Sequence, residues 1–332
     1  MTNQTFEGQR ILVTGAAGFI GMHVAKALLD ARALVTGVDN FEPYYDVRLK
    51  EARIGALRNR AGFSFMRLDL ADSGAVARLF ADGHFDCIVH LAAQPGVRYS
   101  LINPSAYLRN NIVAFGHVVE GCRHAAVAHL VYASSSSVYG ANSTLPFSEE
   151  QSVDHPVSLY AATKKANELM AYTYSHLYRL PATGLRFFTV YGPWGRPDQA
   201  PMLFTKAILA DEPIAVFNHG DMRRDFTYID DIVEGVLRVL AKPPDPHADG
   251  DAPHAIYNIG HNEPVPLETF IATLERLLGR SALRDYRPLQ PGDVIATYAS
   301  IERLQAATGF APCTPLDAGL ARFVEWYRGF YC

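Results

Sequence analysis

The chain of 332 residues predicts an α/β fold: a doubly wound parallel sheet joined to a smaller α/β lobe. Three features carry this expectation. Short β-rich apolar runs alternate with helical patterns as far as Phe188. A glycine-rich turn links the first such run to the first helix. Beyond Phe188 the texture changes to a Pro- and Gly-rich stretch, followed by a second set of elements.

Taken in order, RILVT (residues 10–14) is a buried strand and residues 18–31 a helix. Strands follow at 34–38, 63–68, 86–90, 130–133 and 184–188, with helices at 46–60, 72–81, 104–127 and 158–179 between them. Strands separated by helices cannot close as hairpins, so they pair in parallel with helices on both faces. Residues 190–201, VYGPWGRPDQAP, read as a long functional loop. A helix at 202–210, a strand at 214–217 and helices at 229–241, 267–278 and 315–328 complete the chain, and 242–254 reads as an exposed loop. No internal repeat is present. The expected division is 1–189 as the first domain, with 227–260 returning to it, and 190–226 plus 261–332 as the smaller lobe.

A hydrophobic fraction of 49% and a net charge of −4 describe an ordinary soluble chain without the basic field that nucleic acid or a membrane surface requires. The polar start MTNQTFEGQR offers no signal core, and no apolar run reaches spanning length. The four cysteines, Cys87, Cys122, Cys313 and Cys332, lack metal or redox spacing. No metal site is expected. Cys87 and Cys122 lie in apolar segments and read as core residues. A reducing, cytoplasmic setting follows.

Gly15, Gly18 and Gly21 in ILVTGAAGFIG stand where the first strand becomes the first helix. Glycine permits the tight turn and lets a pyrophosphate reach the free N–H groups of the helix end, as in a Rossmann fold. Glycine triplets alone are weak evidence; this placement strengthens them. The turn brings Ala17, Phe19 and Ile20 with it. Asp39 ends the second strand, where a carboxylate would accept bonds from the adenosine ribose hydroxyls and repel a 2′-phosphate. With Asn40 and Phe41 next to it and no arginine to compensate, NAD is favoured over NADP. The competing reading of Asp39 is a solvated turn residue. Asp69 and Leu70 follow the third strand and could meet the adenine amino group, and the small residues Leu91, Ala92, Ala93 and Gln94 follow the fourth, suited to a cofactor lying close to backbone.

Tyr160 and Lys164 are four apart on a helix and share one face. A phenol of pKa about 10 is a poor base at neutral pH. A neighbouring lysine and a positive nicotinamide would both favour phenolate. Tyr160 could then take a hydroxyl proton as hydride leaves the same carbon, while Lys164 holds the nicotinamide ribose. The spacing also occurs by chance on helix surfaces. Ser135 falls at the carboxyl end of the fifth strand, the edge that faces the ligand crevice, and could bridge substrate and Tyr160. Ser134 reads as structural.

Together these residues resemble the extended short-chain dehydrogenase/reductase superfamily, in particular its NAD-dependent nucleotide-sugar epimerases, and most closely UDP-glucuronate 4-epimerases. The resemblance covers essentially the whole chain. It rests on DNFEPYYDVRLKEAR (39–53), GVRYSLINP (96–104), RFFTVYGPWGRPDQAP (186–201) and GDMRRDFTYIDDIVEG (220–235). It implies Ser135, Tyr160 and Lys164 as catalytic residues and Asn110 and Phe188 at the cofactor. It implies Thr189 and the serines Ser136 and Ser137 at the sugar, Arg196 for the anionic substrate, Arg224 for the diphosphate, and Phe217 and Asp293 for the uridine. Pro95 and Gln199 depart from the pattern, which has alanine and methionine there. Planar guanidinium suits carboxylate and phosphate oxygens in two-point bonds, which supports Arg196 and Arg224, whereas Arg223 reads as a solvated charge. The family also implies a homodimer through helices 104–127 and 158–179, for which Val113, Val118, Leu169 and Tyr172 are available. Core packing explains the same residues equally well.

The implied reaction inverts carbon 4 of UDP-glucuronate through a transient 4-keto sugar that turns over in the pocket, giving UDP-galacturonate. Dehydratase relatives carry Asp-Glu immediately after the active-site Ser/Thr, and decarboxylating relatives carry glutamate two residues after it. Ser136 and Ser137 occupy those positions here, which tilts the reading to an epimerase. The alternatives are an epimerase of a neutral UDP-hexose (UDP-glucose or UDP-N-acetylglucosamine), a decarboxylating or dehydratase relative, and an NAD-binding module without turnover.

Overall fold

The computed structural model describes residues 6–245, 247, 252–290 and 295–332. Its strands are β1 Arg10–Thr14, β2 Leu34–Asp39, β3 Phe63–Arg67, β4 Cys87–His90, β5 His129–Ser135, β6 Ala182–Phe187, β7 Thr189–Tyr191, β8 Pro213–Phe217, β9 Arg223–Tyr228, β10 His254–Ile259, β11 Pro264–Pro266, β12 Leu283–Arg287 and β13 Ala296–Thr297. Its helices are α1 Phe19–Asp30, α2 Val47–Arg58, α3 Ser73–Gly83, α4 Tyr99–Ile102, α5 Pro104–Tyr107, α6 Ala114–His124, α7 Leu159–Tyr178, α8 Ala200–Leu209, α9 Ile229–Leu240, α10 Leu267–Leu278, α11 Glu302–Thr308 and α12 Leu316–Tyr331.

Seven strands form the central sheet in the order β10-β6-β5-β4-β1-β2-β3, and every pairing in it is parallel. The period-two pattern of β1 shows how both faces are filled. Ile11 and Val13 enter the core that includes Val24 and Leu28 of α1 and Ile232 and Val236 of α9. Leu12 enters the opposite core, with Leu79 and Phe80 of α3 and Phe115 and Val118 of α6. The strand order reverses at β1, between β4 and β2, and that reversal opens a crevice at the carboxyl ends of the strands.

Two differences from the expected elements matter. The seventh strand, β10, was not among the predicted strands; it adds to the β6 edge, pairing Ala182 with His254 through Phe187 with Ile259. Its sequence, HAIYNI, lacks the continuous apolar character of the central strands because it lies at the sheet edge. Of the loop expected at 242–254, residues 246 and 248–251 lie outside the described residues. The expected helix 104–127 is three pieces: α5, a π-helical turn over Leu108–Val113, and α6. The reason is polar. The buried Asn111 side chain accepts from the Gln94 N–H at 2.7 Å and donates to the Gln94 carbonyl at 3.1 Å and Thr163 Oγ1 at 3.0 Å. Meeting these partners requires a widened turn, a feature common at functional sites.

The second part of the chain carries small sheets: β9 pairs with β11, β13 and β7, and β8 with β12. Buried Asp225 on β9 accepts from the N–H groups of His261, Asn262 and Ala299, at 2.7, 3.1 and 3.0 Å, and so gathers three segments around one carboxylate. Behind the central sheet, Arg186 and Glu168 form a buried ion pair joining β6 to α7. Ser134 donates to the same carboxylate at 2.6 Å, which gives this serine the structural role expected of it. Cys87 and Cys122 are buried thiols, and Arg223 is exposed. Among the described residues no helix is long and apolar enough to cross a membrane. Val113, Leu169 and Tyr172 are exposed, but Val118 is enclosed in the core against α3 and is unavailable to a contact surface.

Candidate active site

One cleft, with a cavity volume of about 370 Å³, runs across the crevice at the strand ends and falls within the range of small-molecule sites, about 300–1,000 Å³. Its floor is the glycine turn. Gly15 has φ +70°, and a Cβ there would lie 2.8 Å from the Ala92 nitrogen, so β1 and the β4 loop approach at a distance only glycine allows. A Cβ on Gly21 would collide with the Gly15 carbonyl oxygen. Gly18 caps α1 with no side chain in the way, which leaves the first N–H groups of the helix facing the cleft. Asp39 is already engaged: it accepts from the N–H groups of Phe41 at 2.8 Å and Ala17 at 3.2 Å, fixing its carboxylate beside the turn.

The cleft is lined by Gly15, Gly18, Phe19, Ile20, Gly21, Asp39, Asn40, Asp69, Leu70, Leu91, Ala92, Ala93, Gln94, Asn110 and Phe188, together with Ser135, Ser136, Ser137, Tyr160, Lys164, Thr189 and Arg196. Pro95 and Gln199, the two departures from the family pattern, border it as well. Three residues expected at the site stand apart. Ala17 belongs to the turn, but its side chain is fully buried. Phe217 and Arg224 lie outside the lining; Arg98, from the loop after β4, stacks its guanidinium over the Phe217 ring at 4.7 Å. Asp293 lies outside the described residues.

At the centre, Ser135 ends β5 and its hydroxyl caps the short 3-10 turn Ser136–Tyr139, accepting from the Ser137 N–H at 3.2 Å. That turn holds Ser136 and Ser137 in the cleft. Tyr160 opens α7, whose N-terminus is capped by Ser158. Burial raises the Tyr160 phenol, while its bond with Ser135 and the charge of Arg196 pull it back. Lys164, a turn later, is buried and donates to the Ala133 carbonyl at 2.9 Å. Burial lowers its pKa to about 8. Ser135 and Arg196 therefore both favour the phenolate. Arg196 is paired with Asp198, Nε to Oδ1 at 3.0 Å, and Tyr44 donates to the same carboxylate at 3.1 Å. Burial disfavours both charges, and the pairing outweighs it, holding Arg196 protonated and Asp198 ionised.

Sequence reasoning passed over two cations on α2. Lys50 is buried, lines the cleft, and donates to the Glu42 carbonyl at 2.7 Å. Arg53 is fully buried under the glycine turn. The signal was available: two long basic side chains three apart on a helix that follows the Asp39 loop.

A glycine turn at a helix end, a fixed acid at the second strand and a serine, tyrosine and lysine in one crevice define a dinucleotide-dependent enzyme class acting on a hydroxyl-bearing carbon. The sequence matches the model of the NAD dependent epimerase/dehydratase family over residues 11–260, and the chain belongs to that family. It is 48% identical over 333 residues to a probable UDP-glucuronate 4-epimerase of Rhizobium meliloti, covering 97% of this chain and 98% of that protein. It is 47% identical over 338 residues to UDP-glucuronate 4-epimerase 3 of Arabidopsis thaliana, covering 99% of this chain and 78% of that one. The fold superposes on the crystal structure of UDP-glucuronic acid 4-epimerase from Bacillus cereus, in complex with UDP-glucuronic acid and NAD, with a TM-score of 0.89 at 34% identity, covering 97% and 99% of the two chains.

Proposed function

We propose that the protein is an NAD-dependent UDP-sugar 4-epimerase that interconverts UDP-glucuronate and UDP-galacturonate. The observation that carries this reading is the convergence of Ser135, Tyr160 and Lys164 with the glycine turn in one cleft whose walls include Ser136, Ser137, Thr189 and Arg196. NAD fits the residues present. Gly15, Gly18 and Gly21 leave room for a pyrophosphate at the α1 end, Asp39 suits the adenosine ribose, and Lys164 suits the nicotinamide ribose. When bound, NAD would supply a reversible hydride acceptor and a positive charge that favours phenolate.

The chain's own part in the reaction is proton transfer and positioning. Tyr160 takes the proton of the sugar 4-hydroxyl and returns it to the same oxygen once the carbon has been inverted, with Ser135 bridging the two oxygens. A keto group at carbon 4 makes the sugar a β-keto acid, which loses carbon dioxide fastest when its carboxylate bond stands perpendicular to the carbonyl plane. Ser136, Ser137 and Thr189 are suited to hold the carboxylate near that plane. Both positions after Ser135 are serine, so the cleft has no acid there to work at carbon 5. Arg196 balances its own Asp198, so a substrate carboxylate shares that guanidinium. Phe217, Arg224 and Asp293 are assigned the uridine and diphosphate. We assign 1–189 and 227–260 to the cofactor and 190–226 and 261–332 to the nucleotide sugar. The exposed apolar residues Val113, Leu169 and Tyr172 support a homodimer through segments 104–127 and 158–179, and the free cysteines support a reducing, cytoplasmic setting.

Incubation with UDP-glucuronate and separation of products tests the assignment. UDP-galacturonate is the expected product. A UDP-pentose would mean decarboxylation, and inertness with turnover of UDP-glucose would move the substrate to a neutral hexose.

A further inference from the structure

Arg53 is fully buried and faces no carboxylate among the described residues. Its guanidinium instead donates to three carbonyls and a phenol: Ala17 at 3.0 Å, Trp194 at 2.6 Å, Gly195 at 3.2 Å and Tyr45 Oη at 2.6 Å. Its Nε finds no partner among the described residues. A buried cation left without an acid is costly, and an apolar side chain would fill the same space more cheaply. The partners it has chosen are informative. Ala17 belongs to the glycine turn. Trp194 and Gly195 belong to a tight turn, closed by a Gly195 N–H to Gly192 carbonyl bond, that leads directly into Arg196 in the cleft. Trp194 holds φ +63° and packs its ring on Trp326 and Phe330 of α12, so this turn is fixed from the other side as well.

We propose that Arg53 is a positioning residue that locks the cofactor turn to the Arg196 loop, so that cofactor and nucleotide sugar bind cooperatively. One planar fork spans both segments. An anion arriving at the glycine turn compensates the charge from the cofactor side and holds the turn still. The same rigid fork then holds the 194–196 backbone where Arg196 meets the substrate. The inference rests on the epimerase reading for its ligands but not for its chemistry, because only binding is measured.

The test is displacement of etheno-NAD by excess NAD, followed by fluorescence, with and without saturating UDP. In the unaltered protein UDP slows cofactor release by at least about five-fold, the lower end of ordinary coupling. In Arg53→Met, and in Arg53→Lys, which keeps the charge but not the planar fork, the two release rates come within about two-fold of each other. If Arg53→Met does not fold, Arg53→Lys decides. A variant that loses thermal stability yet keeps the full effect of UDP overturns the proposal and leaves Arg53 a packing residue. So does an unaltered protein whose cofactor release ignores UDP. Coupled binding without conversion of UDP-glucuronate would sink the functional reading and leave this inference standing. Failure to bind NAD at all overturns both.

Discussion

Replacing Lys164 with methionine should make the protein more stable and inactive. The side chain is 2% exposed, and burial lowers its pKa from 10.5 to about 8. At about 1.4 kcal/mol per pH unit, carrying the charge costs the folded state about 3 kcal/mol at neutral pH. Methionine fills a similar volume without that cost but cannot donate to the Ala133 carbonyl, which returns about 1–2 kcal/mol. The net expectation is a gain of about 1–2 kcal/mol at pH 7 in cofactor-stripped protein, read by urea denaturation. The sign of the pH dependence follows from linkage. Because the folded pKa lies below the unfolded one, the unfolded chain binds more protons between about pH 8 and 10.5. Stability of the unaltered protein therefore rises through that window, and the advantage of the variant shrinks with it. A variant less stable at pH 7, or a difference unchanged between pH 7 and 10, would refute the assignment of Lys164 as a strained charge kept for chemistry.

Three further outcomes are expected. Tyr160→Phe removes the proton carrier and should lower kcat by at least about 100-fold, the ordinary size of general acid–base catalysis, with UDP binding by calorimetry within a few-fold of normal; appreciable turnover would refute its role. Glu168→Gln leaves buried Arg186 without its anion and should lose about 3–5 kcal/mol in denaturant titration; a loss below about 1 kcal/mol would mean that water reaches the pair. Leu169→Asp places a charge on the exposed face of α7 and should convert a dimer to monomers in light scattering, whereas an unchanged mass would remove α7 from the interface.

The parallel sheet and the glycine turn were legible because they depend on local chemistry. Apolar runs of strand length, and glycines at 15, 18 and 21 where a Cβ would strike Ala92 or Gly15, leave their mark in any reading of the chain. Tyr160 and Lys164 were legible for the same reason, since helical spacing alone puts them on one face. Three things were decided only by the folded chain. The π turn around Asn111 exists because Gln94 and Thr163, remote in sequence, offer it partners. Val118 turned inward because α3 packs there, a choice that amphipathic pattern leaves open. Arg53 became the clasp between two loops because its carbonyl partners lie 36 and 141 residues away. Electrostatics followed the same division: residue types name the groups, but burial sets their pKa values, and burial is a property of neighbours that only tertiary packing supplies.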